Sequence, residues 1–181
     1  MSDTYSIKKL LRGFVTVRNE AGMVVRATNL VVYTGGDIIA QLLAGNIEYR
    51  ISHMYFGFEN TVGVPSFAAP ARTDVTGFFS GLIAPQDYLR TPILLPTPLT
   101  AADGNHNGNR ATFSAIAVDV VGVNGVPFGS ASNSQVATIG LVAAPTGVVG
   151  GDVLYARVNL ATALPAAGSG QISATWATEA D

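Results

Sequence analysis

Short runs of alternating apolar residues recur along this chain, and glycine, proline and asparagine separate them. The alternating runs cover residues 13–18, 51–58, 111–121 and 172–177, with further strand-like stretches at 23–25, 30–33, 136–143 and 153–160. Alternation with a period of two places the apolar side chains on one face of a β-strand. About eight strands spaced by turn residues predict a mainly β fold, an antiparallel β-sandwich resembling a jelly roll.

One short α-helix is predicted within this β pattern, at about residues 36–44. Its apolar side chains form one stripe: Ile38, Ile39, Leu42 and Leu43. The turn at residues 34–37 offers a polar N-cap and an acid, Asp37, near the helix N-terminus. Gly45 is expected to end the helix as a C-cap glycine.

Two strands are predicted to bring large side chains to the core. Met54 and Phe56 share one face of the strand after the helix, together with Phe58. Near the end of the chain, Trp176 lies on the same strand face as Ile172. The tryptophan is therefore expected in the core or at a subunit contact.

The chain carries few charges for its length of 181 residues. Charged residues make up 12% and hydrophobic residues 48%, and the formal net charge is −2. The charged share is about half of that in an ordinary soluble domain, which favours a surface covered by neighbouring subunits. The scattered basic residues predict no nucleic-acid partner, and the longest apolar runs are too short to predict a membrane span. The sequence contains no cysteine, so neither a disulfide nor a thiolate metal site is expected.

The domain organisation is predicted from these shifts in composition. Residues 1–12 read as an N-terminal arm that turns apolar at Ile7, Leu10 and Leu11, and residues 13–181 as a single β-rich domain. Prolines concentrate at about residues 61–99, which predicts a long loop with short extended pieces. The loop and the arm supply the candidate interface residues: Ile7, Leu10, Leu11, Phe67, Phe78, Phe79 and Tyr88.

No residue pattern predicts catalysis, a cofactor or a metal. His53 and His106 have no carboxylate or second histidine at ligand spacing, and the acids are scattered singly. Residues 103–108 match the first half of a calcium-binding EF-hand loop, but Ser114 stands where the loop needs a glutamate. A hairpin loop is the favoured interpretation of that stretch. Gly35-Gly36 is a weak phosphate-site pattern and an ordinary capping turn explains it as well.

The order of these pieces resembles a diffuse class of tailed-bacteriophage virion proteins. The matching pieces are a hairpin at residues 13–26, Asn-Leu-Val-Val at 29–32 followed by glycine, Leu-Leu-Ala-Gly at 42–45, and an aromatic strand at 51–58. Two later matches are the stretch from Asp152 to Arg157, of the form D-x-L-x-x-R, and the strand that contains Trp176. Glu59-Asn60-Thr61 replaces the glycine-rich turn that is usual after the aromatic strand.

This resemblance implies a virion component that is not an enzyme. The function it favours is a capsid decoration or cement protein, made in the host cytoplasm, that forms a homotrimer or other homo-oligomer and bridges major capsid subunits. The alternatives are a tail, baseplate or fibre-base component, and a carbohydrate-binding β-sandwich that uses exposed aromatic rings for host attachment.

Overall fold

The computed structural model describes residues 11–59, 68–76, 88–98, 110–117, 135–165 and 172–180, which form two antiparallel sheets and one α-helix. Sheet I has the strand order β2-β1-β10-β7-β6, and sheet II has the order β3-β9-β8-β4-β5. In chain order the elements are β1 Leu11–Asn19, β2 Val24–Thr28, β3 Leu30–Val31, α1 Tyr33–Leu43, β4 Ile51–Glu59, β5 Tyr88–Pro92, β6 Leu94–Pro98, β7 Arg110–Ala117, β8 Gln135–Ala143, β9 Val153–Pro165 and β10 Ile172–Ala180.

The core lies between the two sheets. Val15 and Trp176 point into it from sheet I, and Met54 and Ile139 do so from sheet II; all four are fully buried. The alternation read from the sequence explains this arrangement, because one face of each strand is apolar. The mainly β, antiparallel sandwich fold and the core position of Trp176 are therefore confirmed. The jelly-roll connectivity stays a prediction.

In its described residues, the proline-rich segment contributes strands at the sheet edges. β5 is the last strand of sheet II, and β6 is the last strand of sheet I. Pro92 lies in β5, while Pro96 and Pro98 lie in β6. A proline has no N–H to donate to a neighbouring strand, so an edge position is where a β-strand tolerates it.

The helix starts three residues earlier than the sequence predicts. It begins at Tyr33, and its N-cap is Val32, which makes no side-chain capping bond. The predicted polar cap is therefore wrong. The Tyr33 N–H instead donates to the Arg72 carbonyl at 2.8 Å, and the Thr34 hydroxyl donates to the Leu154 carbonyl at 2.6 Å. The Arg72 carbonyl thus satisfies a backbone N–H at the helix N-terminus that has no partner within the helix, and the Thr34 hydroxyl adds a second bond between the helix and a distant segment.

The predicted glycine end of the helix is confirmed. Gly45 has φ +86°, a left-handed conformation that glycine adopts without strain. Its N–H donates to the Leu42 carbonyl, and the next N–H, of Asn46, donates to the Gln41 carbonyl. These two bonds form a Schellman motif. Within the described ranges, no helix has the length and apolar character to cross a membrane.

Candidate functional site

Charged residues converge on the outer face of sheet II, which points away from sheet I. Tyr55 on β4 lies opposite Gly140 on β8, and Gly140 lies opposite Arg157 on β9. Arg90 on β5 lies on the other side of Tyr55. One row across four strands therefore brings two arginines to either side of a tyrosine and a glycine. The glycine has no side chain, so its large neighbours have space above β8.

Asp152 is the centre of the first charged cluster on this face. Its carboxylate is fully buried and accepts two hydrogen bonds from Arg90, from Nε at 2.7 Å and from Nη2 at 3.1 Å. The Tyr55 hydroxyl donates to the same carboxylate. The hydrogen bond to Asp152 raises the pKa of Arg90. With three donors on a buried carboxylate, Asp152 fastens the edge strand β5 to the start of β9 and is not placed to act on a substrate.

Arg157 is the centre of a second cluster. Its side chain is fully buried, and its Nε lies 3.0 Å from a carboxylate oxygen of Asp74, which is 16% exposed. Burial lowers the pKa of Arg157, and the negative charge of Asp74 opposes that shift. Arg157 also donates to the Ala68 carbonyl, as does Asn159 at 3.0 Å. A buried guanidinium needs such partners because its desolvation is costly.

Residues 68–76 therefore lie as a strap across the outer face of sheet II. The strap is held at four points: by Arg157 and Asn159 at Ala68, by the helix N-terminus at Arg72, by Arg157 at Asp74, and by the carbonyl of Asp152, which accepts from Thr76 at 3.0 Å. Through these contacts the strap covers the part of the outer face where the two charged clusters lie. The charged groups therefore bind other groups of the same protein and stabilise the fold.

His53 lies beside this face, in an open groove of about 460 Å³. The groove is also lined by Glu48, Arg50, and the turn at residues 144–147. The His53 Nδ1 and the Ser52 hydroxyl share a hydrogen bond of 2.9 Å. Burial lowers the pKa of His53, and the charge of Arg90 lowers it further, while Asp152 opposes both effects. The ring is therefore held in its neutral form near pH 7.

Three strongly exposed apolar residues line this groove or lie within four residues of one that does. Leu43 at the end of α1 is 84% exposed, Ile47 in the following 3-10 turn is 74% exposed, and Val148 in the turn after β8 is 63% exposed. Ile47 lines the groove together with Gly147, the neighbour of Val148 in the chain. These three residues are called the apolar end. Exposed leucine, isoleucine and valine side chains grouped at one end of a domain are typical of a contact surface.

The predicted interface residues cannot be compared with the apolar end. Ile7, Leu10, Phe67, Phe78 and Phe79 lie outside the described residues, as do His106 and the calcium-like loop. The backbones of Leu11 and Tyr88 begin β1 and β5, and nothing is described of their side chains. No group of three metal-ligating side chains occurs within the described ranges.

Sequence reasoning missed both charged clusters, because their members are far apart in the chain. Asp152 and Arg90 are 62 residues apart. One signal was available: Asp152 and Arg157 are the charged ends of the D-x-L-x-x-R stretch that carries part of the resemblance. The structure gives these two residues separate roles, since each forms an ion pair with a residue from another segment.

The weak phosphate pattern at Gly35-Gly36 has a packing explanation. A Cβ on Gly35 would lie 2.2 Å from the Tyr155 carbonyl oxygen, so glycine permits close contact between α1 and β9. The Gly35 N–H donates to the Val32 carbonyl and the Tyr33 N–H to the Arg72 carbonyl. Backbone donors that would bind a phosphate are therefore used by the protein itself.

Comparisons of the chain with models of known protein families, with curated proteins and with solved structures gave no match.

Proposed function

We propose that this chain is a structural subunit of a bacteriophage virion, a capsid decoration or cement protein that forms a homo-oligomer and bridges major capsid subunits. The apolar end is the observation that carries the proposal. Leu43, Ile47 and Val148 are mostly exposed, and they lie in or beside the turns at residues 44–47 and 144–147. Covering them with a partner would release the water around them, at about 25 cal/mol per Å² before the costs of association.

The position of the apolar end adds support. Leu43 and Ile47 lie on either side of the tight turn at Gly45, and Val148 follows the turn after β8. Loops and helix ends at one end of a sandwich are the parts that a rigid scaffold presents to a partner. The exposed side chains are therefore held on short connections between well-packed elements, as a docking surface requires.

The charged groups support a structural role as well. Asp152 and Arg157 have fully buried side chains, and each forms an ion pair within the protein. The pair of Asp152 with Arg90 holds the edge strand β5, and the pair of Arg157 with Asp74 holds the strap. A subunit that stays on a shell must resist opening of its edges, and these two pairs fasten segments that come from distant parts of the chain. In the part of the chain that the structure describes, the His53 ring has the Ser52 hydroxyl and no carboxylate as a hydrogen-bond partner.

To test this, capsid shells of the encoding phage that lack this protein are mixed with the purified protein. Attachment is measured as the amount of protein that sediments with the shells. The double variant Leu43→Ser/Ile47→Ser is expected to lose attachment at least tenfold, because it replaces two of the three side chains of the apolar end. Leu94→Ser is the matched control, since Leu94 is 54% exposed at the far edge of sheet I. Equal attachment of all three proteins would contradict the role of the apolar end.

Immunogold labelling of intact virions tests the location. Gold distributed over the shell is the expected result. Gold confined to the tail or its base would replace the decoration role by the tail-component alternative, and unlabelled virions would overturn the proposal as a whole.

A further inference from the structure

The edge of sheet I at β2 has free backbone hydrogen-bonding groups. The Asn19 N–H donates to Met23 and the Asn29 N–H donates to Gly13, which identifies the odd-numbered residues as those bonded to β1. In an antiparallel pair, every second residue turns its N–H and C=O away from the partner strand. Val24, Arg26 and Thr28 therefore direct these groups outward. Within the described ranges, no strand is hydrogen-bonded to β2 on that side.

A groove of about 840 Å³ lies along this free edge. On one side it is lined by residues 14–16 of β1 and 26–28 of β2, and on the other by residues 159–161 of β9. The pairing of β3 with β9 is limited to Ala156 and Arg157, so residues 159–161 of β9 are not paired with β3. Val15 and Leu160 give it an apolar floor. A free strand edge beside an apolar groove is the geometry that accepts an added β-strand.

We propose that residues 4–8 of a second copy of this chain add to the β2 edge as a sixth strand of sheet I. The stretch Thr-Tyr-Ser-Ile-Lys alternates polar and apolar residues, so Tyr5 and Ile7 can face the groove floor while the other three face outward. Its five residues match the five of β2. The inference rests on the proposed function, because it names the contact by which the subunits would assemble with one another.

A second copy fits this edge better than the same chain does. The chain enters β1 at Leu11, and an added strand beyond β2 would lie two strand spacings from β1, about 10 Å away. Only residues 9 and 10 would remain to cross that distance and to pass the connection between β2 and β3. In a second copy Leu11 has no fixed position relative to this edge, so that subunit can approach until its residues 9 and 10, which span about 10 Å when extended, connect its β1 to the added strand.

The first test uses proline at the centre of the edge. Arg26→Pro removes one outward N–H and leaves the bonds between β1 and β2 intact, and an edge strand tolerates proline. Arg26→Ala is the matched control, since it removes the same side chain and keeps the N–H. Light scattering is expected to give the oligomer mass for the wild type and for Arg26→Ala. The monomer mass is expected for Arg26→Pro and for the chain without residues 1–10.

The outcomes separate this inference from the proposed function. A wild type that is monomeric at every concentration would contradict self-assembly itself. An oligomer that persists in Arg26→Pro and in the truncated chain would leave self-assembly standing and overturn the strand addition. Thermal melting of each variant identifies any variant that has failed to fold. If one has failed, the cross-linking experiment tests the strand addition in its place.

Cross-linking identifies whose arm occupies the edge. The chain has no cysteine, so Ser6→Cys and Arg26→Cys each introduce a single thiol. Positions 6 and 26 are the centres of the two five-residue segments, and centres oppose each other in either strand direction. A mixture of the two single variants is expected to form a disulfide-linked dimer under mild oxidation. No dimer in the mixture, together with an intramolecular disulfide in the double variant, would show that the arm binds its own subunit and would overturn the inference.

Discussion

At the residue scale, the buried ion pair of Arg157 and Asp74 shows how this protein uses its few charges. The Arg157 side chain is fully buried between β9 and the strap, and Asp74 supplies the opposite charge from the strap. Removing one partner of such a pair leaves a charge in a poorly solvated place, whereas removing both at once does not. The cost of a substitution here therefore depends on which charge remains.

We expect Asp74→Ala to lower the free energy of unfolding by about 2–3 kcal/mol, since it leaves the buried guanidinium without its carboxylate. The double variant Asp74→Ala/Arg157→Met is expected to lose less than Asp74→Ala alone. Urea unfolding of both single variants and the double variant completes a double-mutant cycle. Asp37→Ala, on the exposed side of α1, is the control and should change stability by no more than about 0.5 kcal/mol. A double variant that is less stable than Asp74→Ala would contradict this account of the pair.

His53 is expected to make stability depend on pH. Burial and Arg90 lower its folded-state pKa below the ordinary value of 6.5, so the unfolded chain binds the proton more readily. Stability from this group is complete above pH 6.5 and is lost as the pH falls from there through the lowered folded-state pKa. His53→Gln should flatten the unfolding free energy in that pH window. An unchanged slope in the variant would assign the pH dependence to other groups.

At the element scale, the sequence predicts the strands well and the ends of the helix unevenly. Alternation located β1, β4 and β10, because one face of each is buried. β8 is buried at every position, and its apolar character between turn residues located it instead. The glycine end of α1 was also predictable, since a left-handed residue is a local requirement. The start of α1 was not, because carbonyls of Arg72 and Leu154 take the place of a local cap. A bond between distant segments leaves no pattern in the neighbouring sequence.

The two glycines at the start of α1 give a matched test of packing against helix propensity. Gly35→Ala would place a Cβ 2.2 Å from the Tyr155 carbonyl oxygen, and we expect a loss of about 3 kcal/mol as the helix moves away from β9. Gly36→Ala meets no atom within 4 Å and should gain about 0.5–1 kcal/mol from the lower backbone entropy of the unfolded chain. Thermal or urea unfolding measures both. Equal effects of the two substitutions would contradict the close contact between α1 and β9.

At the scale of the whole molecule, sequence reasoning supplied the fold class and missed the candidate site. The strand pattern predicts two packed sheets, because apolar faces must cover each other. The apolar end was not predictable, since Leu42 and Leu43 fit the helix stripe and only the structure shows that Leu43 is 84% exposed. Periodicity assigns a residue to a face of its element, but the packing of neighbouring elements determines how much of that face is covered.

Low charge and an exposed apolar end are two independent features of this chain, and assembly explains both. Asp152 and Arg157 form ion pairs inside the protein. Still fewer charges are therefore left on the surface to keep a lone subunit in solution. Under the proposed function, copies of the chain would cover part of this surface and a partner would cover another part.

The most direct test of this account is the mass of the full chain in solution, measured by light scattering over a range of concentrations at neutral pH. A closed homo-oligomer whose mass is independent of concentration is the predicted result. A chain that stays monomeric at every concentration would contradict the account, because a lone subunit would then keep its low charge and its apolar end exposed without need of assembly.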